Sequence, residues 1–427
     1  MSTSSLYALA KASHESALKL QTLTHQDRNN LLLNLHGALI NNKDAILNAN
    51  LEDVQLNDKP NLEKRLLLTS DKFDTMTQGI LDVIELSDPL QPIWTKELDE
   101  ALILYKVACP IGVILVIFEA RPEVVVQIAS LCIKSGNACI LKGGKESINT
   151  VLHFQEIING LFSDITPIQF VHSRDDVSGL LGLNEFINLV IPRGSKALVQ
   201  HIQQASKIPV LGHADGICSM FIDEFADLNK SVHCVVDAKT QYPAGCNALE
   251  TLLIHQRCPK ELIKSILMAL IKAKTTIKAT EAILSDFPDL QLTLATDADF
   301  DTEFLDLTIA VKYTTNITSA IEHIHQHSSK HTDCIMTENI ENANTFLRSV
   351  DAAGVYWNCS TRFADGFRYG FGAEIGVSTN KIHARGPVGL EGLLIYKYVL
   401  KGNGQGAADY ANKKYKHVMV PTTSPFE

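Results

Sequence analysis

The residue best placed for covalent chemistry is Cys246, in the run Gln241-Tyr242-Pro243-Ala244-Gly245-Cys246-Asn247. Helical spacing from Asn229 to Lys239 precedes it, and a strand-like run, Leu249 to Ile254, follows. Pro243 and Gly245 interrupt regular structure, so the thiol is predicted on a turn between two ordered elements. A thiol on a turn can approach a substrate. The competing reading is that Cys246 is one of nine cysteines, and most free cysteines are packing residues.

Two further turns have the form that holds phosphate. Lys142-Gly143-Gly144-Lys145 and Pro192-Arg193-Gly194-Ser195 each follow a strand-like run and precede a helical one. Backbone N–H groups and the helix dipole favour an anion there, and glycine lets it come close. The same residues also serve turn geometry alone. Arg121, in Phe118-Glu119-Ala120-Arg121-Pro122, ends the most apolar run of the chain. A guanidinium there suits a carboxylate, a phosphate or a developing oxyanion. A salt bridge to Glu119 or Glu123 would explain it equally well. Asn358–Phe363 and Tyr369–Glu374 are polar, loop-like segments that could line a ligand site. On one helix His323, His327 and His331 would share a face. Polar neighbours surround them and no carboxylate cluster completes a metal site, so no metal is expected.

These residues need a scaffold, and the apolar pattern supplies one. Ile111–Phe118 is continuously apolar, as in a strand buried on both faces. Ala138–Leu141, Ile168–Val171, Ile187–Ile191 and Cys218–Ile222 read as further strands, separated by helical segments. Strand and helix alternate with short connections, so the class is α/β with a mostly parallel sheet. Helical spacing dominates from Ser5 to about Asn50 and again from Ser70 to Glu85, with Thr24 and Asp27 as a capping pair. The alternation restarts near Asn229, which predicts a second α/β domain. Leu98–Val107 and Leu393–Leu400 share a strand-like texture, and as two ribbon strands they could pair in an oligomer interface.

With 427 residues and 45% hydrophobic content the chain can bury two domains or more. The formal net charge of −10 and the absence of a Lys/Arg-rich block argue against a nucleic-acid role. No run is long enough to span a membrane, and the N-terminus lacks a signal-peptide layout, so a cytoplasmic protein is expected. The cysteines are odd in number and show no CxxC pair, which argues against a disulfide framework. No GxGxxG stands at a strand–helix junction, so the common Rossmann fingerprint is missing.

Several stretches together resemble one family. They are Cys-Pro-Ile-Gly-Val-Ile-Leu-Val-Ile-Phe-Glu-Ala-Arg-Pro (109–122), Ser-Gly-Asn-Ala-Cys-Ile-Leu-Lys-Gly-Gly (135–144) and Ile-Pro-Arg-Gly (191–194). Ala-Lys-Thr-Gln-Tyr-Pro-Ala-Gly-Cys-Asn (238–247), Ser-Thr-Arg-Phe-Ala-Asp-Gly (360–366) and Lys-Ile-His-Ala-Arg-Gly-Pro (381–387) complete the set. In order, over nearly the whole chain, they resemble the γ-glutamyl phosphate reductases, the proline-biosynthesis branch of the aldehyde dehydrogenase superfamily. The resemblance implies an aldehyde dehydrogenase-like α/β fold in three parts. These are a modified Rossmann NADP-binding domain (1–228, with 98–108 joining an oligomerisation ribbon), a catalytic domain carrying Cys246 (229–365), and a return to the cofactor domain and ribbon (366–427).

The resemblance also assigns roles. Cys246 matches the nucleophile, with Asn247 and Arg121 beside it for the oxyanion and the departing phosphate. Lys142, with Gly143 and Gly144, matches the lysine at the adenosine ribose; Arg193, Gly194 and Ser195 match the turn near the pyrophosphate. Glu374 matches the glutamate on the nicotinamide ribose, and Arg362 is the expected partner of the substrate carboxylate. Where the superfamily has Glu-Leu-Gly-Gly this chain reads Val-Leu-Gly-His-Ala-Asp-Gly (210–216), without the glutamate base that hydrolyses a thioester. A reductase starting from an acyl phosphate must avoid hydrolysis, so the loss suits it. The expected reaction is attack of Cys246 on L-glutamyl 5-phosphate, loss of phosphate, and NADPH-dependent reduction of the thioester to L-glutamate 5-semialdehyde. A homo-oligomer is expected, with glutamate 5-kinase handing over the labile acyl phosphate. Lys239 is a candidate to activate the thiol if the turn folds back. A hydrolytic aldehyde dehydrogenase and a non-catalytic nucleotide-binding protein are the alternatives, and dependence on phosphate separates them.

Overall fold

The computed structural model describes residues 1–162, 165–213, 215–411 and 413–426. In chain order the strands are β1 (Pro92–Asp99), β2 (Leu102–Pro110), β3 (Val113–Phe118), β4 (Ala138–Lys142), β5 (Ile168–Phe170) and β6 (Leu189–Arg193). Then come β7 (Cys218–Ile222), β8 (Leu249–His255), β9 (Thr276–Ala279), β10 (Thr293–Leu294), β11 (Thr308–Thr314) and β12 (Thr332–Met336). The last are β13 (Gly354–Trp357), β14 (Gly376–Ser378), β15 (Gly386–Val388), β16 (Leu394–Lys401) and β17 (Val418–Val420).

Two parallel sheets carry the architecture. The first has the order β5-β4-β3-β6, the second β10-β9-β11-β8-β7-β12-β13. Every residue of β3 is buried. Ile114, Val116 and Phe118 join the core on one face, and Val113, Leu115 and Ile117 join the core on the other. The continuous apolar run is thus the period-2 pattern of a strand with both faces covered. The helix Thr3–Leu20 supplies Leu6, Ala10 and Leu20 to the second face. Helices His25–Asn41 and Ser70–Glu85 supply Leu32, Leu35, Phe73 and Ile80 to the first. Thr24 and Asp27 form a reciprocal capping box at the start of His25–Asn41.

The structure corrects three sequence expectations. Leu98–Val107 is not one strand. β1 and β2 form a hairpin, with Asp99 paired to Leu102 and Ala101 in the left-handed region at φ 55°. Glu100-Ala101 carries none of the Asn-Gly chemistry that announces such a turn. Second, the expected boundary at 228/229 lies too late: β7 pairs with β8 and β12, so the chain has entered the second sheet by Cys218. Third, the helix Ile317–His327 ends before His331, which opens β12 instead of sharing a face with His323 and His327. β9 and the helix Ile340–Ser349 were not anticipated at all.

The two remote ribbon stretches do pair, within the chain. β16 runs antiparallel to β2 from Leu394 opposite Pro110 to Lys401 opposite Ile103, in a sheet of order β16-β2-β1-β17. Among the described residues, no helix is long and apolar enough to cross a membrane.

Candidate active site

The carboxyl edge of the first sheet gathers the predicted anion turns in the order of its strands. β5 is followed by Arg174, β4 ends at Lys142, β3 is followed by Glu119–Arg121, and β6 ends at Arg193. In parallel α/β sheets this edge is where ligands collect. Lys142 is buried, and burial lowers its pKa; Glu146 opposes that shift, and Arg174 and Lys145 act in the same direction. Lys142, Lys145 and Arg174 therefore form a basic group at one end of the edge. Arg174 was not singled out in the sequence, because only the adjacency of β4 and β5 brings it to Lys142.

A carboxylate of the protein itself stands at each glycine turn, and at Gly194-Ser195 it accepts a turn N–H. Ser195 N–H donates to Glu119 Oε2 at 3.0 Å, and a Cβ on Gly194 would stand 2.4 Å from that oxygen. Glu146 Oε1 accepts from Ala120 N–H at 2.6 Å and lies over Gly144. A bound phosphate at either turn would have to displace a carboxylate.

Arg121 does not make the salt bridge to Glu119 or Glu123 that competed as its explanation. Among the described residues its guanidinium has no ion-pair partner within 4.0 Å. Arg193 likewise has none, and its Nη1 is enclosed without a hydrogen-bond partner. Burial lowers the Arg193 pKa, as does Arg121 beside it; Glu374, Cys246 and Glu123 pull it up. Arg193 therefore lies within electrostatic reach of Arg121, Glu374 and Cys246. Glu374 Oε2 accepts from Gly366 N–H at 2.8 Å, and burial raises its pKa.

Cys246 lies on a turn, as predicted, and is half-buried. The turn precedes β8 and stands at the amino edge of the second sheet. Gly216 enters β7 next to it, so close that a Cβ on Gly216 would sit 2.0 Å from the Cys246 carbonyl oxygen. Thr361 Oγ1 donates to the Asn247 carbonyl at 2.7 Å. Asn247 Nδ2 donates to the Ala364 carbonyl at 2.9 Å. As placed, Asn247 ties the turn to the 360–366 loop through one of its two Nδ2 hydrogens. Arg362 stands behind the turn. Its Nε donates to Gln241 Oε1 at 2.9 Å and its guanidinium lies 5.6 Å from the Tyr242 ring. A cleft of about 560 Å³ opens beside Tyr242, Pro243 and Ala244, with Lys274 and Asp306 across from them.

Lys239 does not activate the thiol. It is fully buried and donates to Glu250 Oε2 at 2.6 Å. Burial lowers the Lys239 pKa, and burial pushes Glu250 up to about 7. The pair holds the helix Leu228–Thr240 against β8 behind the turn. Two imidazoles that the sequence did not connect with Cys246 stand beside it. A ring nitrogen of His213, a ring nitrogen of His331 and Cys246 Sγ all lie within 4.8 Å of one another. His213 stands in the stretch 210–216 where the glutamate is missing; Ala214 of that stretch lies outside the described residues. The sequence grouped His331 with His323 and His327, and nothing in it linked His331 to the thiol 85 residues away. Adjacency of β8, β7 and β12 brings the starts of these strands together.

A ligand edge on one parallel sheet, facing a cysteine turn on a second, is the arrangement of the aldehyde dehydrogenases, and the aldehyde dehydrogenase family model matches residues 2–283. The γ-glutamyl phosphate reductase of Saccharomyces cerevisiae is 48% identical over 97% of this chain and 98% of that protein. A probable γ-glutamyl phosphate reductase of Schizosaccharomyces pombe is 48% identical over 94% of each. The crystal structure of γ-glutamyl phosphate reductase from Thermotoga maritima superimposes with a TM-score of 0.91, at 37% identity, over 94% of this chain and 99% of that one. The chain belongs to the γ-glutamyl phosphate reductases, an oxidoreductase branch of the aldehyde dehydrogenase family.

Proposed function

We propose that this enzyme reduces L-glutamyl 5-phosphate to L-glutamate 5-semialdehyde, the second step of proline biosynthesis from glutamate, through a thioester on Cys246. One observation carries the reading: Arg121 and Arg193 have no ion-pair partner among the described residues, and Arg193 stands close enough to Arg121 and Cys246 for their charges to act on it. Two unpaired cations beside a nucleophile suit a dianionic leaving group, and an aldehyde without phosphate would leave them unsatisfied.

In this reading the thiolate of Cys246 attacks the acyl carbon, forming a C–S bond as the C–O bond to phosphate breaks. Backbone N–H at the turn stabilises the oxyanion, and Arg121 and Arg193 take the departing phosphate. Arg362 holds the substrate carboxylate through its Nη groups, its Nε being engaged with Gln241. The residues at the carboxyl edge of the first sheet fit a nicotinamide dinucleotide. Lys142, Gly143, Gly144, Gly194 and Ser195 offer the N–H groups and charge for its phosphates, and Glu374 offers a free carboxylate oxygen for a ribose. When bound, that cofactor supplies the hydride that takes the acyl group to the aldehyde level. The basic group Lys142, Lys145 and Arg174 favours NADP(H) over NAD(H), since a 2′-phosphate adds charge that these residues meet.

The reverse reaction tests the proposal. With L-glutamate 5-semialdehyde and NADP⁺, absorbance of the reduced cofactor should grow only when inorganic phosphate is present. Cys246→Ser should abolish it while cofactor binding persists. Phosphate-independent oxidation, or substantial activity in Cys246→Ser, would overturn it. Assembly through the β16-β2-β1-β17 ribbon and delivery of the acyl phosphate by glutamate 5-kinase belong to the same proposal.

A further inference from the structure

We infer that His331 is the group that takes the proton of the Cys246 thiol, with its Nε2 as the acceptor. The inference rests on Cys246 being the nucleophile of the proposed reaction, and its starting observation is an orphan. His331 is 1% exposed, and its Nε2 has no hydrogen-bond partner. Leaving a buried polar atom unsatisfied is costly, because its bond to water is lost and not replaced. Such a cost is tolerated where the atom has a partner in the working state of a site. The other ring nitrogen, Nδ1, lies 2.9 Å from Thr332 Oγ1. A neutral ring with its hydrogen on Nδ1 donates to that hydroxyl and leaves the Nε2 lone pair free. After Nε2 gains a proton the Nδ1–H···Oγ1 bond persists, so the ring is held in place in both states.

The topology places the His331 ring beside the thiol. The Cys246 turn, Gly216 and His331 stand at the starts of the neighbouring strands β8, β7 and β12. A His331 ring nitrogen and Cys246 Sγ lie within 4.8 Å, and the thiol has a free rotor about its Cα–Cβ bond. Unliganded sites commonly hold such pairs too far apart, and they tighten with substrate. His213 is the weaker candidate. Its Nδ1 lies 3.0 Å from the Val377 carbonyl oxygen. Its ring meets His331 edge-on at 5.2 Å between centroids, and it is less buried, so solvent can satisfy its other nitrogen.

Other charged groups around this pair have partners or lie on other sides. Lys330 pairs with Asp351 at 3.9 Å. Asp333 is held by Ser219 N–H and Ser328 Oγ. Glu303 and Asp215 flank His213, with Lys196 on Asp215. Arg193 and Arg362 act on Cys246 electrostatically from the β6 end and from behind the turn, and Glu374 faces Arg193. Cys218, fully buried, hydrogen-bonds the Cys246 carbonyl at 3.4 Å. These cations stabilise a thiolate; none of them can accept its proton.

The step balances. The S–H proton moves to Nε2, leaving Sγ with the electron pair that forms the C–S bond. The C–O bond to phosphate breaks with its pair on phosphate, and the imidazolium returns its proton to that oxygen. Nothing outside the acyl phosphate is consumed.

Alkylation of Cys246 tests the inference without substrate or cofactor, so its outcome is independent of whether the chain reduces an acyl phosphate. The full-length chain is treated with iodoacetamide from about pH 6 to pH 10, with a chelator present, and modification of Cys246 is read by peptide mass. At about pH 7 His331→Gln should react about tenfold or more slowly than the unaltered protein. The two should converge at the alkaline end, where a thiol ionises without help. His213→Gln should stay within about threefold. Superimposable profiles for His331→Gln, a constant offset at every pH, or the effect residing in His213→Gln would each overturn the assignment. If His331→Gln does not fold, the titration of the His331 Cε1–H resonance in the unaltered protein and in Cys246→Ala decides. A titration that changes when the thiol is removed supports the shared proton, and an unchanged one refutes it.

Discussion

Arg121 and Arg193 show how a single side chain acquires meaning. Each is a guanidinium with carboxylates nearby in sequence or space, and each is left without an ion-pair partner within 4.0 Å among the described residues. Glu119, the obvious neighbour, is instead turned onto Ser195 N–H. Both are half-buried, and a partly desolvated cation without a partner suits an anionic ligand. In the proposed reaction the pair would carry the selectivity for an acyl phosphate. Arg174 is the counterpart at the cofactor end. Arg174→Ala should raise the KM for NADPH by about tenfold, the loss of one charge-assisted contact, with little change for NADH. Equal loss with both cofactors in steady-state assays would place Arg174 away from the 2′-phosphate.

At the scale of elements, the site is a meeting of two sheet edges of opposite sense. The carboxyl edge of β5-β4-β3-β6 offers helix starts and cations; the amino edge of β8-β7-β12 offers the thiol and the imidazoles. β12 carries a second titratable group one residue past Thr332. Asp333 is fully buried, and burial pushes its pKa up from 3.8 to about 7. Between those pH values the folded chain keeps a proton that the unfolded chain has lost. The stability it carries is full below the unfolded pKa and falls as pH rises through the folded one. Asp333→Asn removes the ionisation. Its melting temperature relative to the unaltered protein should be higher at about pH 8 than at about pH 5, a swing of a few kcal/mol. A difference that is flat with pH in thermal unfolding would show that Asp333 titrates alike in both states.

Across the whole molecule, the segment that returns from the second sheet is fastened by charge. Asp351 accepts from Arg385 at 2.8 Å and pairs with Lys381 at 2.7 Å, and these contacts hold its pKa down at about 2. The 381–387 motif, which has no evident chemistry as sequence, thus joins the catalytic unit to the strands β14 and β15 that lead to the ribbon. The ribbon leaves Ile395, Tyr396, Tyr398 and Leu400 of β16 exposed, with β16 an unpaired edge. Exposed apolar edge strands invite a further strand or a second copy. Replacing Ile395 and Tyr398 with Asp should shift the protein to a smaller species in sedimentation velocity. An unchanged sedimentation coefficient would exclude the ribbon as the assembly surface.

Local sequence determined what depends on neighbours along the chain. Apolar periodicity fixes β3 as a doubly buried strand, Thr24 and Asp27 fix a helix start, and Pro243 with Gly245 puts Cys246 on a turn, because each is decided within a few residues. The anion turns at Gly144 and Gly194 were legible for the same reason. Strand order was not legible, and strand order decides which residues meet. It moved β7 into the second sheet, committed Lys239 to Glu250, and brought Arg174 to Lys142. It also set His331 beside a thiol 85 residues away. Contacts across a parallel sheet are made by chain crossovers that leave no periodic trace in the sequence. The cysteine turn was therefore readable from its own residues, while the imidazole that stands beside the thiol was decided only by the fold.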